Sequence, residues 1–399
     1  MTTRSPAAGP ATVTVTWAGA NARRLARQHL HPDAAAAAVA SPFAEPGDAV
    51  AAMLGAHAQV LSAAELSVGL RGAGLTRTDV RTALWTDRTL VKTFGPRGTV
   101  HLLPAADLPR WTGALSAVPT GPNPFPKNAR MTPDQVEAVV AAVGDALTGA
   151  ELTIDELSDE VVARTGPWAG DLVMPGFQAM WPRWRQVLHL AGHRGALAYA
   201  PNRGRKATYT NPGCTPLPAA AALPALIERY LYAYGPATPA HVARWLAAPK
   251  RWAAERFAAL AASGAIEEVT FGEDGPAWVV AGDTDFPDAP VRGVRLLPYF
   301  DAFTIASGPR ERLFPGAAWE RALGGGQAGN FPVLLVDGVV AGVWHQRRSG
   351  RRIAVTVEPL EPLSGARLRG LEEQVERVAA IMEGTAELTV GPVTVGPHA

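Results

Sequence analysis

One pattern recurs three times along this chain: three helix-length apolar-polar stretches, then two short β-prone runs around a turn. In the first copy, helices are expected near 48–57, 62–72 and 76–86, with Ser62 and Thr76 as N-caps. LVKTF (90–94) and TVHLL (99–103) then flank Gly95-Pro96-Arg97-Gly98, a hairpin signal. In the second copy, helices are expected near 133–148, 153–165 and 178–192. ALAYA (196–200) and KATYT (206–210) follow, around Pro201-Asn202-Arg203-Gly204-Arg205. In the third, helices near 218–234, 238–248 and 250–263 precede IEEVTF (266–271) and AWVVA (277–281), around Gly272-Glu273-Asp274-Gly275-Pro276. Three helices and a hairpin make up the winged-helix plan, a variant of helix-turn-helix. Any α+β domain can hold one such run, but three in series are hard to reach by chance.

After about residue 285 the character changes. VRGVRLLPYFDAF, FPVLLVDGVVAGVWHQ and RIAVTVEPL are β-branched and β-rich. The Asp337-Gly338 pair inside VDGVV is a strong hairpin turn. GLEEQVERVAAIME (370–383) reads as an amphipathic helix with i, i+4 charge pairs. GPNPFPKNAR near 120–130 reads as a linker, and the alanine run Ala34–Ala40 as helix or loop. The fold class is therefore α+β. The expected division is a flexible N-terminus (1–16) and winged helices over 17–120, 121–215 and 216–285. A β-rich domain follows over 286–399. Trp181 and Trp184, at i, i+3 on an expected helix, should share a core-facing side.

The formal net charge of the 399 residues is only +1, so the molecule as a whole is not a polycation. The basic side is lopsided: apart from Lys92, Lys127, Lys206 and Lys250, its 37 basic residues are arginines. Arginine suits bidentate contacts to phosphates and base edges. The same bias also follows from a GC-rich bacterial genome. Cys214 is the single cysteine, which excludes an internal disulfide and a cysteine-based zinc site. The N-terminus lacks the apolar core of a signal peptide, and no span reaches transmembrane length. A cytoplasmic bacterial protein with no membrane contact is expected.

The most informative short segment is His57-Ala58-Gln59, in an apolar, helix-prone stretch. Side chains at i and i+2 diverge on a regular helix. They converge only if the backbone turns here, as at a helix end or an inter-helix corner. A buried imidazole and amide must find partners, and in an enzyme one partner can be a water aimed at a substrate. The plainer alternative is that the two satisfy each other and nearby backbone groups.

Candidate DNA contacts follow from position. Gln346-Arg347-Arg348-Ser349-Gly350-Arg351-Arg352 forms a basic tip between two strand-like runs, suited to a minor groove or to straddling phosphates. Arg203, Arg205 and Lys206 fall on the second expected wing, and Arg97 on the first. Asp301 in PYFDAF either faces DNA or caps a turn. Other signals are set aside. Gly324, Gly326 and Gly329 form a GxGxxG string, but a strand-like run follows instead of a helix. His189 and His193 have i, i+4 spacing without the glutamate or third ligand of a zinc site. His101 is read as structural. No metal or cofactor is expected.

Taken together, these stretches resemble the bacterial DNA glycosylases of the AlkZ and YcaQ group. The matching pieces are ARRLARQHL, AAMLGAHAQVLSAAELSVGLRG, RGTVHLLPAADLPRW, LTIDELSDEVVARTG, HRGALAYAPNRGRKATYTNP, YLYAYGPATPAHVARWL, LLPYFDAF and LLVDGVVAGVW, in that order. The resemblance implies three tandem winged helices in a C shape plus a C-terminal β-rich, barrel-like domain. It implies hydrolytic removal of bulky N7-alkylguanines from double-stranded DNA, with no cofactor, by a monomer. The family's catalytic motif is two glutamines, or a glutamine and an aspartate, flanking one apolar residue. Here that segment is His57-Ala58-Gln59: Gln59 keeps the glutamine and His57 departs from it. His-containing variants resemble the branch linked to self-resistance against intercalating alkylators of the trioxacarcin and pluramycin type, which implies an antibiotic producer. On this reading Gln59 positions the water and His57 orients or partly deprotonates it. No lysine lies near the motif in sequence to form a Schiff base, which favours water over covalent lyase chemistry. The rival readings are a non-catalytic winged-helix DNA binder or regulator, and a protein that sequesters the alkylator itself.

Overall fold

The computed structural model describes residues 13–31, 43–121, 123, 125–176 and 179–396. Residues 1–12 of the expected flexible N-terminus, and the Ala34–Ala40 run, lie outside these residues. The chain opens with β1 (Thr14–Val15) and α1 (Trp17–Arg27). A first unit follows: α2 (Pro46–Ala52), β2 (Ala56–His57), α3 (Leu61–Gly69), α4 (Arg77–Trp85), β3 (Leu90–Phe94), β4 (Val100–Pro104) and α5 (Leu108–Ser116). The second holds α6 (Pro133–Leu147), β5 (Glu151–Thr153), α7 (Ile154–Thr165), β6 (Leu172–Pro175), β7 (Met180–Pro182), α8 (Leu188–His193), β8 (Ala198–Arg203) and β9 (Lys206–Thr210). The third holds α9 (Ala219–Tyr234), α10 (Pro239–Leu246), α11 (Lys250–Ala262), β10 (Ile266–Phe271) and β11 (Pro276–Val280). The C-terminal part runs β12 (Val294–Leu297), α12 (Ala302–Ala306), α13 (Arg310–Leu313), α14 (Ala317–Ala322), β13 (Val333–Val336), β14 (Val339–Ser349), β15 (Arg352–Pro359), α15 (Gly365–Ile381) and β16 (Thr385–Val390).

Local chemistry sets most of these boundaries. Thr76, Thr132, Thr153 and Thr238 each cap a helix and share a reciprocal capping box with Asp79, Gln135, Glu156 and His241. Asp337 and Gly338, at φ 51° and 84°, form the two-residue turn between the paired Val336 and Val339. This is the geometry in which Asp-Gly is favoured. Gly350, at φ 60°, opens the equally tight turn between Ser349 and Arg352, so the arginine-rich tip is a true hairpin end.

Four expectations are corrected. The helix expected over 48–57 ends at Ala52, because Leu54 and Gly55 turn the chain through left-handed conformations into β2. Val60, not Ser62, occupies the N-cap of α3. The stretch 178–192 is not one helix: β7 ends at Pro182, a 3₁₀ turn spans Arg183–Val187, and α8 follows. Proline disfavours helical backbone in the residue before it, which keeps Trp181 extended. Trp184 is fully buried and donates to Ser158 Oγ at 3.0 Å, whereas Trp181 is half-buried under the Arg185 guanidinium. Finally, residues 14–15 are ordered: β1 pairs in parallel with β10, joining the third unit's sheet in the order β1-β10-β11.

The other units carry three-stranded sheets in the orders β2-β4-β3 and β5-β9-β8, plus the β6-β7 ribbon. The C-terminal sheet runs β12-β13-β14-β15-β16 and its edges do not pair. The sheet nevertheless curls in the expected barrel-like sense, because α15 packs against both edge strands, without closing into a barrel. Its core also takes in Ala22, Leu25 and Leu30 from the α1 region and Leu66 and Leu70 from α3 and its end. The C-terminal part is thus fused to the first unit through shared apolar packing.

A buried ion pair crosses that junction. The Arg71 guanidinium, following α3, donates to Asp301 Oδ1 at 2.8 Å and to Oδ2 at 2.9 Å, with both side chains fully buried. Arg71 also donates to Gln28 Oε1 (3.0 Å) and the Ser67 carbonyl (2.9 Å). Asp301 accepts from Ser67 Oγ (2.7 Å) and the Phe303 N–H (3.0 Å). Burial pushes the Asp301 carboxyl up, but Arg71, Ser67 and the Phe303 N–H outweigh it and hold its pKa below the ordinary value. Removing one partner strands a buried charge, so Asp301→Ala is expected to cost about 3–5 kcal/mol in urea unfolding followed by tryptophan fluorescence. A loss under about 1 kcal/mol would contradict the role given to the pair. Because the folded pKa is depressed, this stabilisation is present above the unfolded carboxyl value of about 3.9. The wild-type advantage over Asp301→Ala should therefore shrink as pH falls below about 4.

Candidate active site

The His57 segment begins at a tight turn. Gly55, at φ 91°, holds a backbone conformation that other residues rarely adopt, and a Cβ there would crowd Leu103 Cδ2 at 3.0 Å. The buried Tyr234 hydroxyl, from α9, donates to the Met53 carbonyl at 2.6 Å and pins the turn from the third unit. The chain then runs extended. Ala56 and His57 pair with Leu102 and His101 on β4, and the Ala58 N–H donates to the Val100 carbonyl at 2.7 Å. Ala56 and Ala58 are buried in the first unit's core. His57 therefore sits on a short strand, not at a helix end, and Gln59 follows two residues later where the chain bends. His57 is buried and Gln59 is exposed.

The His57 ring is enclosed by two aromatic groups from different parts of the chain. Phe300 stacks on it, with centroids 4.3 Å apart and planes at 28°. His101 meets it edge-on at 5.1 Å and 68°. His101 Nδ1 lies 2.9 Å from the Thr99 carbonyl, which can only accept, so Nδ1 carries the proton. Burial, then the nearby His57 and Arg97, push the His101 pKa well below its ordinary value, so the ring is neutral near neutral pH.

The other singled-out residues are dispersed. Arg97, at φ 63°, lies on a tip wedged between α8 and α10 and donates to the Trp245 carbonyl at 2.9 Å. Burial, with Arg310 nearby, lowers its pKa to about 10. This β3–β4 tip therefore serves as a joint among the three units. Asp301 faces inward and caps α12 through the Phe303 N–H. Arg203 donates to Glu156 and to the Glu151 carbonyl, both at 2.6 Å, and Lys206 lies 2.6 Å from Asp155. Arg205 is exposed beside them. On the β14–β15 tip, Arg347 and Arg351 are exposed. Arg348 donates to the Met382 carbonyl at 2.5 Å, and Arg352 pairs with Glu387 at 3.3 Å. His193 Nε2 lies 2.9 Å from the Gly95 carbonyl, and burial lowers its pKa to about 4. Among the described residues, no three His, Cys, Asp or Glu side chains converge as a metal site. Sequence reasoning missed Arg71 and Phe300. Asp301 within PYFDAF was the only nearby signal.

A family model described as DNA glycosylase AlkZ-like matches residues 50–381. The chain is similar to the interstrand DNA cross-link repair glycosylase of Streptomyces sahachiroi: 31% identical over 350 residues, covering 82% of this chain and 87% of that protein. The fold is similar to that of the solved Streptomyces sahachiroi DNA glycosylase AlkZ, with a TM-score of 0.76 at 28% identity. That match covers 95% of this chain and 100% of the other. No helix among the described residues is long and apolar enough to cross a membrane.

The enclosure of His101 has a direct spectroscopic consequence. Long-range ¹H–¹⁵N spectra of histidine-labelled protein should show His101 neutral and Nδ1-protonated from about pH 8 to below about pH 6. A His101 that titrates near its ordinary value of about 6.5 would contradict this site geometry.

Proposed function

The chain belongs to the AlkZ-like DNA glycosylase family, and we propose that it hydrolyses the N-glycosidic bond of bulky N7-alkylguanines through His57 and Gln59. Alkylation at N7 makes guanine cationic, so the base leaves without a general acid. Water adds to C1′ as the C1′–N9 bond breaks; the base departs neutral and one proton is released. The protein must hold that water against an oxocarbenium-like sugar. Gln59 can accept from the water while donating to a sugar or phosphate oxygen. The His57 imidazole can orient the water and take its proton. The observation that carries this reading is the His57 imidazole, buried on β2 beneath the Phe300 ring and two residues before the exposed Gln59.

The architecture we propose is three tandem winged helices, with β3–β4, β8–β9 and β10–β11 as the wings. They are arranged as an open C-shaped cradle, with the C-terminal sheet closing onto the first unit. An open cradle suits an adduct too bulky for a flipped-base pocket. The relative's name, an interstrand cross-link repair glycosylase, supports a bulky-lesion reading. The physiological role we propose is self-resistance to an intercalating alkylating antibiotic, in the cytoplasm, by a monomer. Phosphate contacts are assigned to Arg347, Arg348, Arg351 and Arg352 on the hairpin tip and to Arg203, Arg205 and Lys206 on the second wing. Arg203, Lys206 and Arg352 must exchange carboxylate partners for phosphate. Arg97 and Asp301 support the DNA surface from inside.

Single-turnover release from a duplex carrying one N7-guanine adduct tests the chemistry. Gln59→Ala and His57→Ala are each expected to lower the rate about 10²–10⁴-fold. A fall of less than about tenfold for Gln59→Ala would contradict its role. A bulky adduct should be released faster than N7-methylguanine; equal rates would remove the bulky-lesion specificity. For the interface, Arg347→Ala and Arg351→Ala should each reduce the slope of log K against log salt by about 0.9, and Arg97→Ala should leave it unchanged. An equal effect of Arg97→Ala would place the first wing on DNA.

A further inference from the structure

Phe300 sits in a conformation that aromatic residues rarely adopt. Its φ is 55°, in the left-handed region where a Cβ crowds the following carbonyl. Such a residue persists only where its surroundings over-determine it, and these outliers gather at functional sites. Here three separate restraints act. The Phe300 N–H donates to the Gly329 carbonyl at 3.0 Å. Gly329, at φ 99°, lies against the ring; a Cβ there would stand 3.0 Å from Phe300 Cδ1. The next residue, Asp301, is fixed by the buried Arg71 pair and by its cap on α12. This also gives the Gly324–Gly329 string a use other than nucleotide binding. Together these restraints hold the Phe300 ring where it stacks on His57 at 4.3 Å.

We infer that Phe300 is a positioning residue for base excision: the C-terminal part holds it in a left-handed conformation so that its ring fixes the His57 imidazole facing the water. This rests on the reading of His57 as part of the active site. Phe300 itself transfers no proton and touches the reaction only through His57. The C-terminal part is then a wall of the active site and not only a DNA-binding appendage.

The test is a double-mutant cycle on the full chain, scored by single-turnover release of an N7-alkylguanine, with adduct-duplex Kd measured in parallel. Phe300→Leu is expected to slow release about tenfold to a hundredfold while Kd changes less than about twofold. Phe300→Tyr keeps the ring and should restore the rate to within about threefold of wild type. In a His57→Ala background, Phe300→Leu should cost nothing beyond about twofold. Equal losses in both backgrounds would make Phe300 merely structural and overturn the inference. If His57→Ala collapses release but Phe300→Leu does not change it, the positioning role alone fails. If His57→Ala has no effect, the site reading beneath it fails as well. A second readout is independent of variant activity. The His57 ring protons of the wild type should be shifted upfield by the Phe300 ring, and should lose that shift in Phe300→Leu. Unshifted His57 protons in the wild type would also overturn the inference.

Discussion

The structure depends on the buried pair between Arg71 and Asp301. Two charges removed from water cost several kcal/mol each unless their geometry and remaining hydrogen bonds are complete. Here they are held by a bidentate contact, two side chains, a backbone carbonyl and a backbone N–H, drawn from the α1 region, α3 and the first turn of α12. The pair therefore demands that residues distant in sequence arrive together. Once they do, the orientation of the adjoining Phe300 over His57 is set. A second buried arginine does similar work: Arg24 in α1 donates to the Gly235 and Pro236 carbonyls and ties the same helix to the third unit. The site lies where these ties meet, beside the Tyr234 contact to Met53.

Much of the fold was legible because its signals are local. Capping threonines three residues before an acid or amide mark helix starts, and Asp337-Gly338 dictates its turn. The strands at 90–94, 206–210 and 266–271 stand where their β-branched and aromatic residues place them. The failures have physical causes. Pro182 breaks a helix-like apolar rhythm. The β-branched alternation Val13-Thr14-Val15-Thr16 is strand-like, but its partner lies far along the chain in β10, so the pairing was not legible locally. How far the C-terminal sheet curls depends on the packing of α15 across its edges, which no single strand sequence encodes.

The candidate site was half legible. His57 and Gln59 stood out as polar groups in an apolar run, and family likeness gave them a use. Their setting was assigned to a helix end, whereas the left-handed Leu54 and Gly55 put His57 on a strand, with Gln59 at the bend that follows. Arg97 looked like a phosphate contact because wing tips commonly are, yet its tip is consumed by packing between α8 and α10. The histidine departure from the family's usual amide changes what this position can do. An imidazole can take a proton that an amide cannot, and the product side of this hydrolysis releases one.

The central claim is hydrolysis at C1′ by a held water. It is tested most directly by running base release with sodium borohydride present and analysing both products by mass spectrometry. The account requires an intact alkylated guanine, an unbroken strand with an abasic sugar, and no protein–DNA adduct. A borohydride-trapped covalent protein–DNA adduct, or a strand-cleaved unsaturated sugar formed by the protein itself, would contradict it.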